Sequence, residues 1–385
     1  MSDFIPYGRQ GIHDDDVEAV VRVLRGDWLT QGPEVEAFEA ALAARCGARH
    51  AVACANGTAA LHLALLAAGI GPGDEAIAPA MTFLATANAA ELCGARARFA
   101  DVDPASGLVT AETVAAAVTG ATRAVLPVHF EGLPADVEAI AKVVDRDRVT
   151  IVEDACHALG AVARGVPVGA CERSDLAVFS FHPVKHVTTG EGGAILTNRD
   201  DLATRLRELR SHGMTRDPDR MRATEVEGPW VYEMRALGLN YRITDFQCAL
   251  GRSQLARLEA SLARRRAIAD RYDAAFAGIE PVARPPRPAR FESARHLYVL
   301  RVDWAALGTT RARAVAALRD RGIGTQVHYP PVPLQPWYRD RYGHAEGDFP
   351  GAEDHHRRCL SIPMFPAMSD GDVERVVAAV TEVVR

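Results

Sequence analysis

From Ala51 to Asn198 short apolar runs alternate with helical patterns, and this rhythm restricts the fold more than any other feature of the chain. Apolar runs too short for helices, each separated from the next by a helical stretch, imply a mainly parallel sheet covered on both faces. The expected strands are Ala51–Cys54, Glu75–Ala78, Arg96–Ala100, Arg123–Val128, Thr150–Glu153, Leu176–Ser180 and Ala194–Thr197. Between them Thr58–Ala68, Leu84–Leu92, Ala111–Ala117 and Val137–Val144 read as helices, with Gly69–Gly73 as a stop and turn. The fold class is therefore α/β.

At 385 residues the chain exceeds what one core usually supports, so a large and a smaller unit are expected. A long helical pattern runs from Asp245 to about Phe276, breaks at Gly278 and is followed by the Pro-rich segment Pro281–Pro288. The tail carries a strand at Leu297–Val302, a helix near Arg311–Arg321 and a last helix at Asp370–Val384, which suits a small α+β unit. We expect the large unit, with an N-terminal arm, over residues 1–250 and the small C-terminal one over 251–385.

A composition of 48% hydrophobic and 24% charged residues is that of an ordinary globular enzyme. The net charge of -6 contains no block of one sign, and Arg264–Arg266 fall in a helical pattern as a solvated face, so nucleic acid is not an expected partner. Seven cysteines, odd in number, widely spaced and without a CxxC pair, read as reduced thiols. No export segment and no run of about 18 apolar residues is signalled, so the expected compartment is the cytoplasm and no membrane is involved.

In open parallel sheets ligands lie beyond the carboxyl ends of the strands. After Ala51–Cys54 come Asn56, Gly57 and Thr58 at a helix start, where free N–H groups, a hydroxyl and a glycine suit a phosphate; a simple cap is the plainer alternative. After Thr150–Glu153 comes Asp154, either an ordinary strand-end acid or a carboxylate suited to a protonated ring nitrogen. The most informative end is Val178–His186, where Lys185 follows a buried-looking strand and precedes the Gly190–Gly193 turn. A lysine in so uncharged a loop suits a Schiff base, although a surface lysine would also fit the spacing.

Ser180, Lys185 and the turn Gly190-Glu191-Gly192-Gly193 together resemble the lysine motif of the DegT/DnrJ/EryC1/StrS sugar aminotransferases, which use pyridoxal phosphate (PLP). Thr30–Pro33, Asn56–Leu61, Thr82–Asn88, Glu153–Ala155 with His157, and Gly238–Arg242 are similar to that family in the same order, so the resemblance spans nearly the whole chain. It implies an aspartate-aminotransferase-like fold (fold type I). Phe181–His186, Gly228–Met234 and Val327–Tyr329 before Leu334–Pro336 look most like the pseudaminic-acid branch, which aminates C4 of a UDP-linked 4-keto-6-deoxy-N-acetylhexosamine. Pro333 stands where that pattern has histidine, and Trp337 where it has tyrosine.

The resemblance implies roles residue by residue. Lys185 would hold PLP and shuttle a proton at the Cα of the donor, L-glutamate, with ping-pong kinetics. Asp154 would pair with the pyridine nitrogen, Phe83 stack on the ring and His157 bond near the ring hydroxyl. Gly57, Thr58 and Ser180 would hold the phosphate, and Asn240 would reach it from the partner of a homodimer. His328 and Tyr329 would contact the nucleotide-linked keto sugar or else pack in a core. Metal readings of His182 with His186, and of His355, His356 and Cys359, are disfavoured; the latter three are expected on a solvated helical face. Two rivals stand beside the aminotransferase: a PLP-dependent sugar dehydratase, in which histidine replaces the lysine, and a non-catalytic regulatory relative. Lys185 counts against the first, and Lys185, Asp154 and Ser180 together against the second.

Overall fold

A computed structural model of the chain describes residues 4–222 and 228–384. Its centre is a seven-stranded sheet in the order His50–Cys54, Gly193–Thr197, Leu176–Ser180, Thr150–Asp154, Thr122–Val125, Glu75–Pro79, Arg96–Ala100. Gly193–Thr197 runs antiparallel to both its neighbours, and the other pairings are parallel. Each strand matches an expected one to within a few residues. Their interiors are buried on both faces, as crossover helices require.

The helix Gly57–Ala67 is apolar around its whole circumference, and that composition buries it against the sheet. Asn56 fixes its start, the Asn56 side chain accepting from the backbone N–H of Ala59 at 2.8 Å. The helix Leu84–Leu92 begins directly after Phe83. Both therefore start at the carboxyl edge of the sheet, where the site lies. Two further helices, Asp14–Leu24 and Pro33–Cys46, lie outside the expected elements; the first has three acids in its first turn and the second opens on proline.

The long pattern from Asp245 is two helices, Asp245–Ala256 and Leu258–Ala275, and not one. Arg257 leaves helical geometry at the joint, where its guanidinium bonds Asp15 and Asp16. No glycine or proline marks that break. Leu258 and Leu262 belong to the core of the central sheet, whereas Ile268, Tyr272 and Phe276 join a separate core with Tyr298, Leu300, Leu360 and Val376. That second core also takes Ile5 from the N-terminal arm.

Two expectations are corrected. Arg265 is not on a solvated face: it is buried and donates to the carbonyls of Arg295, His296 and Met364 at 3.3, 3.1 and 3.1 Å. Burial lowers its basicity to about 10. Arg265→Ala should therefore destabilise the fold by about 3 kcal/mol, because three carbonyls, two of them in buried bonds, lose their donor; urea unfolding at fixed protein concentration measures this. His355 and Cys359 are likewise buried, His355 bonding the Pro104 carbonyl through Nδ1 at 3.1 Å and Cys359 opening the strand Cys359–Ile362. His355 sits on the inner side of Pro350–Arg358 against Phe130, a face polar in residue type that packs inward. Among the described residues no helix is long and apolar enough to cross a membrane.

Candidate active site

The carboxyl ends of the central strands and the starts of two helices enclose a cavity of about 780 Å³. Gly57, Thr58, Phe83, Asp154, His157, Ser180 and Lys185 all line it. Asn240 does not; it is exposed on its own chain, joined to Ser211 by a single backbone bridge. Of the 44 basic side chains only two are lysines, Lys142 and Lys185. Lys142 lies outside the cavity, paired with Glu138 at 3.0 Å and largely exposed.

Asp154 ends its strand buried, with both carboxylate oxygens engaged. Thr86 Oγ1 donates to Oδ2 at 2.7 Å and the Cys156 N–H donates to Oδ1 at 3.2 Å. Its backbone is held from both sides, the Asp154 N–H donating to Pro127 and the His129 N–H donating to the Asp154 carbonyl. Behind it His129 Nδ1 accepts from the Ala135 N–H, so Nε2 carries the proton and donates to Glu153 at 2.7 Å. Ser174 donates to the other oxygen of Glu153.

Burial holds the Lys185 amine below the usual lysine range, against the pull of Cys156 and Asp154. That favours the neutral, nucleophilic amine. His157 is pushed well below its ordinary value by burial first and then by Lys185, His328 and His186, so it is neutral. His186 and His328 fall to about 3, also chiefly through burial, and His296 falls well below its usual value. These four histidines therefore carry no charge beside Lys185 at physiological pH.

Several features fit PLP. In the first turn of Gly57–Ala67 the Gly57 and Thr58 N–H groups make no bond among the described residues and face the cavity wall that Ser180 completes. A Cβ on Gly57 would sit 2.9 Å from the Cβ of Ser180, so only glycine leaves this cradle open. Phe83 is 57% exposed although it lies at the cavity, leaving an aromatic side chain for a flat ring. His157 Nδ1 is buried with no partner, while its Nε2 lies 3.4 Å from the Tyr329 hydroxyl.

The cavity also takes in Tyr7, Thr82, Thr86, Tyr241, His296, Gln326, His328 and Tyr329. His328 and Tyr329 thus line the site, His328 additionally bonding Ser361 at 2.7 Å. Thr82 and Thr86 lie within a quoted motif, and their four-residue spacing at a helix start was the available signal. Tyr7 and His296 had none, because each comes from a segment far from the sheet in sequence. Among the described residues no group of His, Cys, Asp and Glu side chains could hold a metal.

The DegT/DnrJ/EryC1/StrS aminotransferase family model matches residues 10–381. The chain is 40% identical to the spore coat polysaccharide biosynthesis protein SpsC of Bacillus subtilis, over 99% of this chain and 97% of that one. Among solved structures, the PLP form of Spr1654 from Streptococcus pneumoniae superposes with a TM-score of 0.90 at 29% identity, covering 99% and 98% of the two chains. PseC of Helicobacter pylori, an aminotransferase involved in the biosynthesis of pseudoaminic acid, gives 0.91 at 27% identity, covering 99% of each. The fold is that of these PLP aminotransferases, and the chain belongs to the DegT/DnrJ/EryC1/StrS family as a PLP-dependent sugar aminotransferase.

Proposed function

We propose that the enzyme moves an amino group from L-glutamate to C4 of a UDP-linked 4-keto-6-deoxy-N-acetylhexosamine, working as a homodimer in the cytoplasm. The observation that carries this reading is the convergence of Lys185 and Asp154 on one cavity with a phosphate cradle and an uncovered aromatic ring. When bound, PLP supplies an electron sink that stabilises negative charge at the carbon losing its proton. Lys185 holds the cofactor and carries the proton to and from the donor's Cα. Asp154 pairs with the ring nitrogen, Phe83 covers the ring and His157 bonds beside the ring hydroxyl. Gly57, Thr58 and Ser180 hold the phosphate.

Asn240 completes that cradle from the second copy. In support, the segments flanking it and the first helices leave Trp28, Leu29, Trp230, Tyr232 and Leu237 exposed, Leu237 by 87%. So large an uncovered apolar set is what a self-complementary interface buries. The two-unit division over 1–250 and 251–385 belongs to the same reading, supported by the separate core around Tyr272 and Tyr298. The seven free cysteines support a reducing compartment.

The sugar assignment rests on the motifs shared with the pseudaminic-acid branch and on the likeness to PseC. Pro333 and Trp337 favour a second reading, another nucleotide-linked keto sugar in the same chemistry. Incubating the enzyme with PLP, L-glutamate and UDP-4-keto-6-deoxy-N-acetylhexosamines of both C5 configurations, with mass spectrometry of the products, decides between them. Amination of one configuration supports the assignment. Formation of 2-oxoglutarate without amination of either sugar overturns it in favour of the second reading.

The cradle gives a separate prediction. Gly57→Ala should raise the dissociation constant for PLP by about ten- to a hundredfold, since relieving an overpacked contact costs about 1–3 kcal/mol. Fluorescence titration of the apoenzyme with PLP measures it; an unchanged constant would place the phosphate elsewhere.

A further inference from the structure

Asp154 is served by a buried relay of hydroxyls that none of the roles above employs. Thr86 Oγ1 lies 2.7 Å from Asp154 Oδ2, and Thr82 Oγ1 lies 2.9 Å from Thr86 Oγ1. Thr82 and Thr86 are 2% and 1% exposed, and their hydroxyls bond within the protein. The direction of the relay follows from the donor count. An ionised carboxylate only accepts, so the single proton of Thr86 goes to Asp154 and the Thr82 hydroxyl must donate to Thr86. Hydrogen bonds in such a chain polarise one another.

We propose that Thr86, backed by Thr82, is a positioning residue that holds the Asp154 carboxylate in place for the cofactor's ring nitrogen, so that the proton of that pair stays on the ring. This rests on the reading in which Asp154 faces that nitrogen. A hydrogen bond donated to a carboxylate favours its charged form. It also occupies one oxygen and holds the carboxylate plane against rotation. The same turn places the ring-covering side chain, because Phe83 is the N-cap of the helix whose third residue is Thr86. Orientation of the carboxylate and cover of the ring are thereby set by five consecutive residues, Thr82 to Thr86.

Thr86→Val keeps the shape of the side chain and removes only the hydroxyl; Thr86→Ser restores a hydroxyl. Holoenzymes reconstituted with PLP labelled with 15N in the ring would be compared by NMR, alongside kcat and KM for L-glutamate in the half-reaction and the thermal midpoint. The 15N resonance of Thr86→Val is expected to move from the protonated toward the unprotonated pyridine position, with kcat down about ten- to a hundredfold, as losing a hydrogen bond to a charged group implies. KM should change little, and Thr86→Ser should return both the resonance and kcat toward the parent. A Thr86→Val enzyme that melts earlier but keeps the parent's 15N position and kcat overturns the proposal, leaving Thr86 a packing residue. If the parent enzyme itself shows an unprotonated ring nitrogen, it is the pairing of Asp154 with the ring that fails.

Discussion

Lys185→Ala is expected to lower amino-group transfer by at least about 10³-fold, since it removes both the covalent anchor and the base for the proton at the donor's Cα. No second lysine lines the cavity to replace the anchor. Cys156 lies beside Lys185, but burial drives its thiol far above the usual range, so it stays protonated. His157, His186, His296 and His328 are neutral, but His186 Nε2 is committed to the Ala294 carbonyl and His328 Nδ1 to Ser361. Single-turnover formation of 2-oxoglutarate is the appropriate readout, because the first half-reaction does not involve the sugar. A variant within tenfold of the parent would remove Lys185 from the centre of the mechanism.

Asp154→Asn is expected to slow the same half-reaction by about 10²- to 10³-fold while leaving PLP bound. Removing one member of a buried charged pair costs about 3–5 kcal/mol, and here the cost falls on the step that needs the protonated ring. Asparagine keeps the volume of the site and can still accept from Thr86 Oγ1, so the variant should fold. The split matters: a fall in kcat with KM for glutamate nearly constant identifies a group used in the transition state. A change of less than threefold in kcat would mean that the charge of Asp154 is not used.

The parallel sheet was legible because its strands are buried on both faces and read as plain apolar runs. Thus Leu176–Ser180 was found to the residue, as was the edge strand Arg96–Ala100, whose Arg96 is exposed and Arg98 half-buried. The phosphate turn at Asn56–Thr58 and the acid at Asp154 were legible for the same reason, standing directly after strands whose ends could be located. Arg265 and His355 were misplaced because a polar residue inside a helical pattern carries no sign of which side faces the core; only the packing of helices 258–275 and 350–358 decides that. His296 and Tyr7 could not be assigned to the site at all. They arrive there through long-range contacts, His296 on a backbone N–H bonded to the Glu131 carbonyl at 2.9 Å, its ring tilted against that of His157 at 4.3 Å. The break at Arg257 was equally hidden, since it depends on Asp15 and Asp16 more than 240 positions earlier.

With only two lysines in the chain, the covalent site can be read without ambiguity. The holoenzyme would be reduced with borohydride, digested, and its peptides sequenced by mass spectrometry. A phosphopyridoxyl group on the peptide carrying Lys185, with Lys142 unmodified, is the predicted result. Label on Lys142 alone, or cofactor that leaves entirely on denaturation after reduction, would contradict the assignment of Lys185 as the residue that holds PLP.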